Sequence, residues 1–292
     1  MSKPSISVVI PAFNREKTIR RAIESVQAQH FADFEIIVVD DASTDDTREA
    51  VLGLDEPRMR LVVRSVNGGA SAARNSGIRA AKADLIAFLD SDDAWKPDKL
   101  RRQFEAMSSP GARPVSCTGA VIHLLDHGET RIKRLEDTPD WARRLAMDCD
   151  LSPGSTQMAA RAVFDEIGLL DETLPRFEDW DWLLRYTRSG AILAVSEPLA
   201  DVYNRRGRLG DIVERSARLF QSKHQGVFDA LAPADRRQAL ADLWLQAAGT
   251  YAFERRFACV LRPALQAARY RPFHTAARLT LAALIRVRRE VT

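Results

Sequence analysis

A largely apolar segment spans residues 6–14 of the chain and reads ISVVIPAFN. Its β-branched residues predict a buried strand over 6–13, and Pro11 and Asn14 mark where that strand ends. Short apolar runs with polar endings recur at residues 34–39, 60–64 and 85–89. Helical patterns separate these runs, at residues 17–29, 46–52 and 68–82. Apolar strands that alternate with helices predict a parallel sheet covered on both faces.

The pattern changes after residue 113, where strands and helices are mixed. The expected elements are strands at 115–125, 192–195 and 199–203 and helices at 141–147 and 180–188. After Gly210 nearly every segment has helical character, with breaks expected near Pro233, Pro263 and Pro272. We therefore predict an α/β fold with a mostly parallel sheet flanked by helices and an α-helical C-terminal extension.

The composition is that of an ordinary globular protein. Of 292 residues, 46% are hydrophobic and 28% charged, which excludes disorder, collagen-like repeats and a disulfide-dense miniprotein. The three cysteines are far apart and form no CxxC pair, which excludes a zinc ribbon and suits a reducing compartment. Neither a signal peptide nor an apolar run of about 20 residues is present, so we expect a cytoplasmic location.

The net charge of +3 gives no reason to expect a nucleic-acid partner. Its distribution is more informative. Residues 254–292 contain nine Arg and two Glu, a local charge of +7, which leaves −4 for the rest of the chain. A mildly acidic body is therefore followed by a basic tail.

Polar residues gather where the predicted parallel strands end. In an open parallel sheet, ligands bind beyond the carboxyl ends of the strands. The four endings are at residues 11–14, 40–41, 67–69 and 90–93. Their convergence predicts a ligand site at this edge.

The acidic ending DSDD, residues 90–93, has the character of a cation site. Asp90 and Asp92 are two positions apart, so on an extended segment both side chains face one way. Mn²⁺ or Mg²⁺ prefers oxygen ligands and often takes one or two carboxylates plus substrate phosphates. The alternative is an acidic turn that caps the helix starting near Pro97. Placement beside the other three strand endings favours the cation.

The other three endings suit recognition of a nucleotide. A carboxylate at Asp40 or Asp41 can accept hydrogen bonds from a base N–H or a ribose hydroxyl, and the alternative for one of them is an Asx turn. Phe13 either stacks on a base or belongs to the core. Residues 67–77, NGGASAARNSG, form a Gly-rich turn that opens a small-residue helix, where anions are favoured. They match neither GxGxxG nor a P-loop, which disfavours a conventional NAD site or an ATPase.

These elements together resemble the family 2 glycosyltransferases of the GT-A fold. The resemblance covers residues 5–203 in five ordered parts. The parts are VVIPAFN at 8–14, VVDDASTD at 38–45, NGGASAARNSG at 67–77, FLDSDD at 88–93 and GLLDE with EDWDWLLR at 168–172 and 178–185. The family implies an inverting enzyme that transfers sugar from a nucleotide-diphosphate sugar to an acceptor hydroxyl.

The resemblance also implies roles for individual residues. Asp92 would hold the divalent cation, with Asp90 on the ribose or the metal, and Asp179 would be the general base. Glu178 and Trp180 would lie on the acceptor side. The donor would contact Pro11, Phe13, Asp40, Asp41, Asn67, Gly69, Arg74, Asp90 and Ser91. The alternative for Glu178 and Asp179 is an acidic helix start, which suits the helix dipole.

By the same resemblance, residues 1–208 would be the GT-A catalytic domain. Residues 1–112 would bind the nucleotide sugar, 113–208 would face the acceptor, and 209–292 would be the helical extension. Arg205, Arg206 and Arg208 either close over the donor phosphates or form a solvated loop. The expected donor is a UDP-sugar, although GDP and dTDP remain compatible, and the expected acceptor is a glycan or lipid-linked glycan.

The basic tail allows three interpretations. From Phe273 onward, apolar residues recur on one helical face: Phe273, Ala277, Thr280, Leu284, Val287 and Val291. Arg271, Arg278, Arg286 and Arg289 fall on the opposite face. The apolar face packs on the catalytic domain, forms a homodimer seam, or lies peripherally on an anionic membrane.

Two rival functions use a similar fold. A non-catalytic module would bind nucleotide sugar or glycan without turnover. A nucleotidyltransferase would also use carboxylate-bound metal, but the chain lacks a Gly-rich, Arg/Lys-bearing triphosphate loop near its beginning.

Overall fold

The computed structural model describes residues 3–126, 128–204 and 209–275. These group into two compact units, one within Met1–Ala142 and Asp150–Arg205 and the other within Arg143–Cys149 and Arg206–Thr292. Arg205, Arg206, Arg208 and the apolar face of the tail from Ala277 onward lie outside the described residues. Among the helices described, none combines the length and the apolar character that crossing a membrane requires.

Within the part of the chain that the structure describes, nine strands form one sheet. The strands are β1 (Ile6–Ala12), β2 (Phe34–Asp40), β3 (Met59–Val63), β4 (Leu85–Phe88), β5 (Ala94–Trp95), β6 (Val115–Leu124), β7 (Glu129–Lys133), β8 (Met158–Ala160) and β9 (Leu193–Asn204). Their order is β3-β2-β1-β4-β8-β6-β9-β5, with β7 paired to β6. The first four strands and the β6–β9 pair are parallel, and β8, β5 and β7 pair antiparallel. The predicted α/β fold with a mostly parallel sheet is confirmed.

Helices occupy most of the connections. They are α1 (Ile19–Gln27), α2 (Thr47–Leu52), α3 (Gly69–Ala80), α4 (Lys99–Met107), α5 (Trp141–Met147), α6 (Pro153–Thr156), α7 (Arg161–Ile167), α8 (Glu178–Tyr186), α9 (Gly210–Lys223), α10 (Gln225–Ala230), α11 (Pro233–Phe253) and α12 (Phe257–Tyr270).

The core of the first unit lies around β1 and β2, whose residues are all buried. Parallel register places Ala12 beside Asp40, so these strands end at the same edge of the sheet. Helix α3 lies close to β1, because a Cβ on Gly77 would come within 2.3 Å of Val9 Cγ1. The small residues of α3 therefore bring its N-terminal turn near the strand ends.

Several predicted elements need correction. The strands expected at 192–195 and 199–203 are one strand, β9, because a register shift near Gly119 of β6 accommodates Pro198 without breaking the pairing. Helix α12 runs through Pro263, where a break was expected. Strands β5, β7 and β8 and helices α6 and α7 were not predicted, since each is too short or too exposed for clear periodicity.

The second unit is helical in its described part, as predicted for the extension. The N-terminal amides of α9, Leu209 and Gly210, donate to Glu254 Oε1 at 2.5 and 2.6 Å, which satisfies orphan donors at the start of the helix. Trp244 and Leu245 of α11 form a cluster with Ala267 of α12. The predicted boundaries at 112/113 and 208/209 stay predictions.

Candidate active site

The loop after β1 presents an aromatic side chain at the sheet edge. Phe13 is 42% exposed, so the alternative prediction that this side chain belongs to the core is wrong. The next residue, Asn14, has a φ of 53°, a left-handed conformation that Asn tolerates. Its amide donates to Ser43 Oγ at 3.0 Å, and Thr44 N–H donates to its Oδ1 at 2.9 Å. The loops after β1 and β2 are therefore joined, with Phe13 left accessible.

The two carboxylates at the end of β2 are buried and already bonded within the protein. Asp40 Oδ1 accepts Ser43 N–H at 3.1 Å and its Oδ2 lies 2.6 Å from Arg48 Nε. The Asp40 carboxylate thus closes the local turn after β2, through the amide three residues further on. Asp41 accepts the amides of Gly68 and Gly69, the latter at 2.7 Å. Asp41 therefore joins β2 to the Gly-rich turn, and a role of either carboxylate in base recognition stays a prediction.

The Gly-rich turn is open to solvent. Asn67 and Gly69 are exposed. Gly69 has a φ of 82°, and a Cβ built on it would meet nothing within 4 Å. The turn thus needs glycine for its backbone conformation and leaves room in front of the N-terminus of α3.

The acidic turn after β4 is anchored by Asp93. Asp93 is buried, accepts Tyr203 N–H at 2.9 Å and accepts the Ser155 hydroxyl. Burial raises the pKa of Asp93, and the nearby charge of Asp90 raises it further. Asp90 N–H donates to the same hydroxyl of Ser155 at 3.1 Å. No role was predicted for Asp93 from the sequence, because its anchoring contacts are with residues far along the chain.

Asp90 and Asp92 keep their carboxylates partly exposed, with side chains 36% and 41% accessible. Ser91 between them is buried. Burial and the neighbouring Asp90 raise the pKa of Asp92, and Arg15 opposes this. Among the residues described, no three His, Cys, Asp or Glu side chains converge to hold a metal by themselves. Two accessible carboxylates still fit a hard cation that takes its other ligands from a diphosphate and water.

Arg74 of α3 links the acidic turn to the start of α8. It is buried, its Nη2 lies 2.6 Å from Asp90 Oδ1, and its Nη1 lies 2.5 Å from Glu178 Oε1. Burial alone would lower the pKa of Arg74, but the charges of Asp90, Glu178 and Asp179 outweigh it and raise that pKa. A guanidinium suits this position because its fork of donors can serve two carboxylates at once.

Asn75, next along α3, holds the segment that leads into α8. It is buried, its Nδ2 donates to Leu170 O at 2.9 Å and to Glu172 Oε1 at 2.8 Å, and its Oδ1 accepts Leu170 N–H at 3.1 Å. Asn75 belongs to the Gly-rich motif at residues 67–77, but the sequence alone predicts no role for it. The motif was the only sequence signal that could have pointed to Asn75. Its partner Leu170 lies 95 residues further along the chain, so the contact could not be read from local sequence.

Helix α8 begins with the acidic pair. Burial and Asp179 raise the pKa of Glu178, and Arg74 opposes this. Asp179 is half-buried and accepts the amide of Trp180 at 2.7 Å. Trp180 is buried and packs edge to face on Phe177, with ring centroids 5.5 Å apart. The helix-start interpretation is therefore structurally correct for both carboxylates, and the assigned roles of Asp179, Glu178 and Trp180 stay predictions.

A small cavity adjoins Asp179. It is lined by Arg74, Phe88, Pro153, Gly154, Gln157, Phe164, Leu170, Asp179 and Trp182. Gln157 is buried and its Nε2 has no hydrogen-bond partner among the described residues. No sequence pattern points to Gln157, because it lies in the unpredicted turn before β8.

A buried lysine packs against Trp95, the residue that bonds to the turn at Ser155. Lys99 is fully buried, its Nζ donates to Gln103 Oε1 at 2.7 Å and lies 3.9 Å from the centre of the Trp95 ring. Trp95 Nε1 donates to Ser155 O at 2.8 Å. Burial lowers the pKa of Lys99 to about 7. This packing fixes the position of Ser155, to which Asp90 and Asp93 are both bonded.

In open α/β sheets ligands bind beyond the carboxyl ends of the strands, and the carboxylates and the exposed ring of Phe13 follow such strand ends here. A family model described as "Glycosyl transferase family 2" matches residues 7–160, more than half of the chain. The chain therefore belongs to glycosyl transferase family 2.

Curated relatives agree with the family. The chain is 46% identical over 133 residues to the succinoglycan biosynthesis protein ExoO of Rhizobium meliloti, covering 43% of this chain and 38% of that protein. It is 41% identical over 102 residues to an Escherichia coli protein named UDP-Glc:alpha-D-GlcNAc-diphosphoundecaprenol beta-1,3-glucosyltransferase WfgD, covering 35% of this chain and 40% of that protein. The chain thus spans about two-fifths of the length of these relatives.

Solved structures show the same fold. S. aureus TarS 1-349 superposes with a TM-score of 0.61 at 22% identity, covering 93% of this chain and 88% of that one. The mannosyltransferase PcManGT of Pyrobaculum calidifontis, solved with GDP-Man and Mn2+, gives a TM-score of 0.58 at 18% identity and covers 98% of this chain and 81% of that one.

Proposed function

We propose that this chain is an inverting, metal-dependent glycosyltransferase that moves a sugar from a nucleotide-diphosphate sugar to an acceptor hydroxyl. The observation that supports this most is the double ion pair of Arg74 with Asp90 and Glu178. It holds the carboxylates suited to the donor next to the acidic start of α8. A transfer reaction needs the groups that bind the donor and the group that activates the acceptor to be held in a fixed mutual position.

The donor side is supported by the sheet edge. Phe13 offers an accessible ring for a base, and the exposed Gly-rich turn faces the same edge. We favour a UDP-sugar, since TarS was solved with UDP and with UDP-GlcNAc. GDP stays open as an alternative, since PcManGT was solved with GDP-Man.

Asp92, with Asp90 beside it, would hold Mn²⁺ or Mg²⁺. Such a cation supplies charge neutralisation at the leaving diphosphate. Oxygen-only donors and partial exposure of both carboxylates are the features that support this assignment. Asp90 is also bonded to Arg74, so Asp92 is the better placed of the two to take a cation.

Asp179 would act as the general base on the acceptor hydroxyl. It is half-buried and lies at the small cavity beside Arg74, whereas Glu178 is buried and paired. A single base that removes the hydroxyl proton, with no separate nucleophile, corresponds to one displacement and inversion at the anomeric carbon. Glu178 then orients Arg74, and Trp180 supports the start of α8 from within.

The acceptor is proposed to be a glycan or lipid-linked glycan of the cell surface. The name of ExoO refers to succinoglycan biosynthesis, and that of WfgD to a diphosphoundecaprenol-linked substrate. A cytoplasmic enzyme with peripheral membrane contact, or a homodimer, through the C-terminal helices would suit such an acceptor. Phe273, the first residue of the predicted apolar face, is 91% exposed.

The test is an assay of sugar transfer from a panel of UDP-, GDP- and dTDP-sugars in the presence of Mn²⁺. Release of the nucleoside diphosphate measures the transfer. Asp92→Ala should abolish turnover, and the matched control Asp84→Ala, at an exposed surface ion pair with Lys3, should retain it. Binding without turnover for any donor would favour the non-catalytic module. Release of pyrophosphate from a nucleoside triphosphate would favour a nucleotidyltransferase.

A further inference from the structure

A cationic side chain lies close both to the main chain of the loop that carries Phe13 and to the acidic turn. Arg15 follows Phe13 by two residues, and its Nη1 lies 3.4 Å from Phe13 O and 3.3 Å from Asn14 O. Its Nη2 lies 3.6 Å from Asp92 Oδ2. The Arg15 side chain is 42% exposed, so its guanidinium is reachable from solvent.

The backbone holds Arg15 in this place. Arg15 N–H donates to Thr47 Oγ1 at 2.7 Å, and Arg15 O accepts the amide of Ile19 at 2.9 Å as α1 begins. The loop is therefore bonded on both sides, and only the side chain of Arg15 is free to adjust.

The position of Asp92 is fixed as well. Arg21 of α1 donates from Nη2 to the main-chain oxygen of Asp92. The Arg21 guanidinium also lies 3.8 Å from the centre of the Tyr203 ring. The guanidinium of Arg21 thus already binds a main-chain oxygen and packs on an aromatic ring. The 3.6 Å separation between Arg15 and the Asp92 carboxylate is longer than a direct hydrogen bond. Of the two arginines beside Asp92, Arg15 is the one that can change partner.

We infer that Arg15 binds the diphosphate of the donor and exchanges Asp92 for it when a divalent cation takes that carboxylate. This inference rests on the proposed function, in which the base lies at Phe13 and the cation at Asp92. The guanidinium of Arg15 lies beside the main chain of Phe13 and beside the Asp92 carboxylate, so it is placed to meet a diphosphate that runs from the base to the cation. Arginine is suited to phosphate because its planar donors match the phosphate oxygens in pairs.

The exchange predicts effects of opposite sign on two ligands. Arg15→Gln removes a cation that competes at Asp92, so Mn²⁺ alone should bind about two- to fivefold more tightly, as for an exposed charge pair. The same change removes a charge-assisted hydrogen bond, so with saturating Mn²⁺ a nucleoside diphosphate should bind on the order of tenfold more weakly. The affinity for the corresponding nucleoside, which lacks the phosphates, should not change.

The experiment is titration calorimetry on the full chain. Mn²⁺ is titrated first, and UDP, GDP and dTDP are then titrated in the presence of saturating Mn²⁺. The nucleoside that corresponds to the diphosphate that binds is titrated last. Arg20→Gln is the matched control, since Arg20 is an exposed neighbour on α1 that pairs with Glu24 at 3.7 Å. It should change neither affinity. Equal losses for diphosphate and nucleoside in Arg15→Gln, or weaker Mn²⁺ binding, would overturn the inference alone. Failure of the wild-type protein to bind any of the three diphosphates would overturn the proposed function together with it.

Discussion

Arg74 and Glu178 are 104 residues apart in the chain, yet Arg74 Nη1 lies 2.5 Å from Glu178 Oε1 in the interior. The contact joins the helix of the Gly-rich motif to the helix that starts with the acidic pair. Because Arg74 also bonds Asp90, one side chain sets the distance between the acidic turn and Asp179.

Removing Arg74 should therefore cost much stability. Arg74→Met leaves two carboxylates facing each other without their cation, one of them buried. We expect the free energy of unfolding to fall by about 3–5 kcal/mol, as when one partner of a buried ion pair is removed. Urea denaturation would measure this. Arg79→Met, at an exposed position of the same helix, should stay within about 0.5 kcal/mol of wild type. Similar losses in both variants would contradict a special role of the Arg74 pair.

Asp179→Asn should separate catalysis from donor binding. An amide keeps the shape of the side chain but cannot take the acceptor proton, so turnover should drop by about 10²-fold or more. Donor affinity, measured by calorimetry, should change little. Asp165→Asn, an exposed carboxylate on α7, serves as the control and should keep full activity. Substantial turnover by the Asp179 variant would remove this residue from the role of base.

Gly154→Ala should impair the site without unfolding the protein. A Cβ at this position would come within 2.3 Å of Asp90 Oδ2, and Arg74 prevents the carboxylate from moving freely. We expect turnover to fall about 10- to 10²-fold, since small displacements of reacting groups cost this much. Gly249→Ala, where nothing lies within 4 Å, should leave activity unchanged. Wild-type turnover in the Gly154 variant would show that the position of Asp90 is not critical.

The buried ammonium of Lys99 should make stability depend on pH. Burial lowers the pKa of Lys99 to about 7 from an ordinary value of 10.5. Above pH 7 the unfolded chain therefore holds a proton that the folded protein lacks, so the free energy of unfolding rises with pH, by at most about 1.4 kcal/mol per unit. Urea denaturation at pH 7 to 9 should show this rise for wild type relative to Lys99→Met. Parallel curves for the two proteins would contradict it.

Local patterns predicted the strands that carry the site better than the connections between them. The first four strands are uniformly apolar or flanked by clear turn residues, so their periodicity is unambiguous. The short turn around Ser155 was not predicted, although Asp90, Asp93 and Trp95 all bond to it. Its four residues are too few for a helical period. Phe13 could be placed at a strand end from sequence, but only its exposure decided between core and surface.

The sequence by itself determined the α/β class and the set of polar residues at the strand ends, because burial along a strand and its termination are encoded by neighbouring residues. Only the tertiary structure decided how those residues are used. The pairing of Arg74 with Glu178, the anchoring of Asp93 by Tyr203 and the approach of Arg15 to Asp92 join segments far apart in the chain. Such contacts depend on how α3, α8 and the sheet pack in three dimensions, and no local period records that packing.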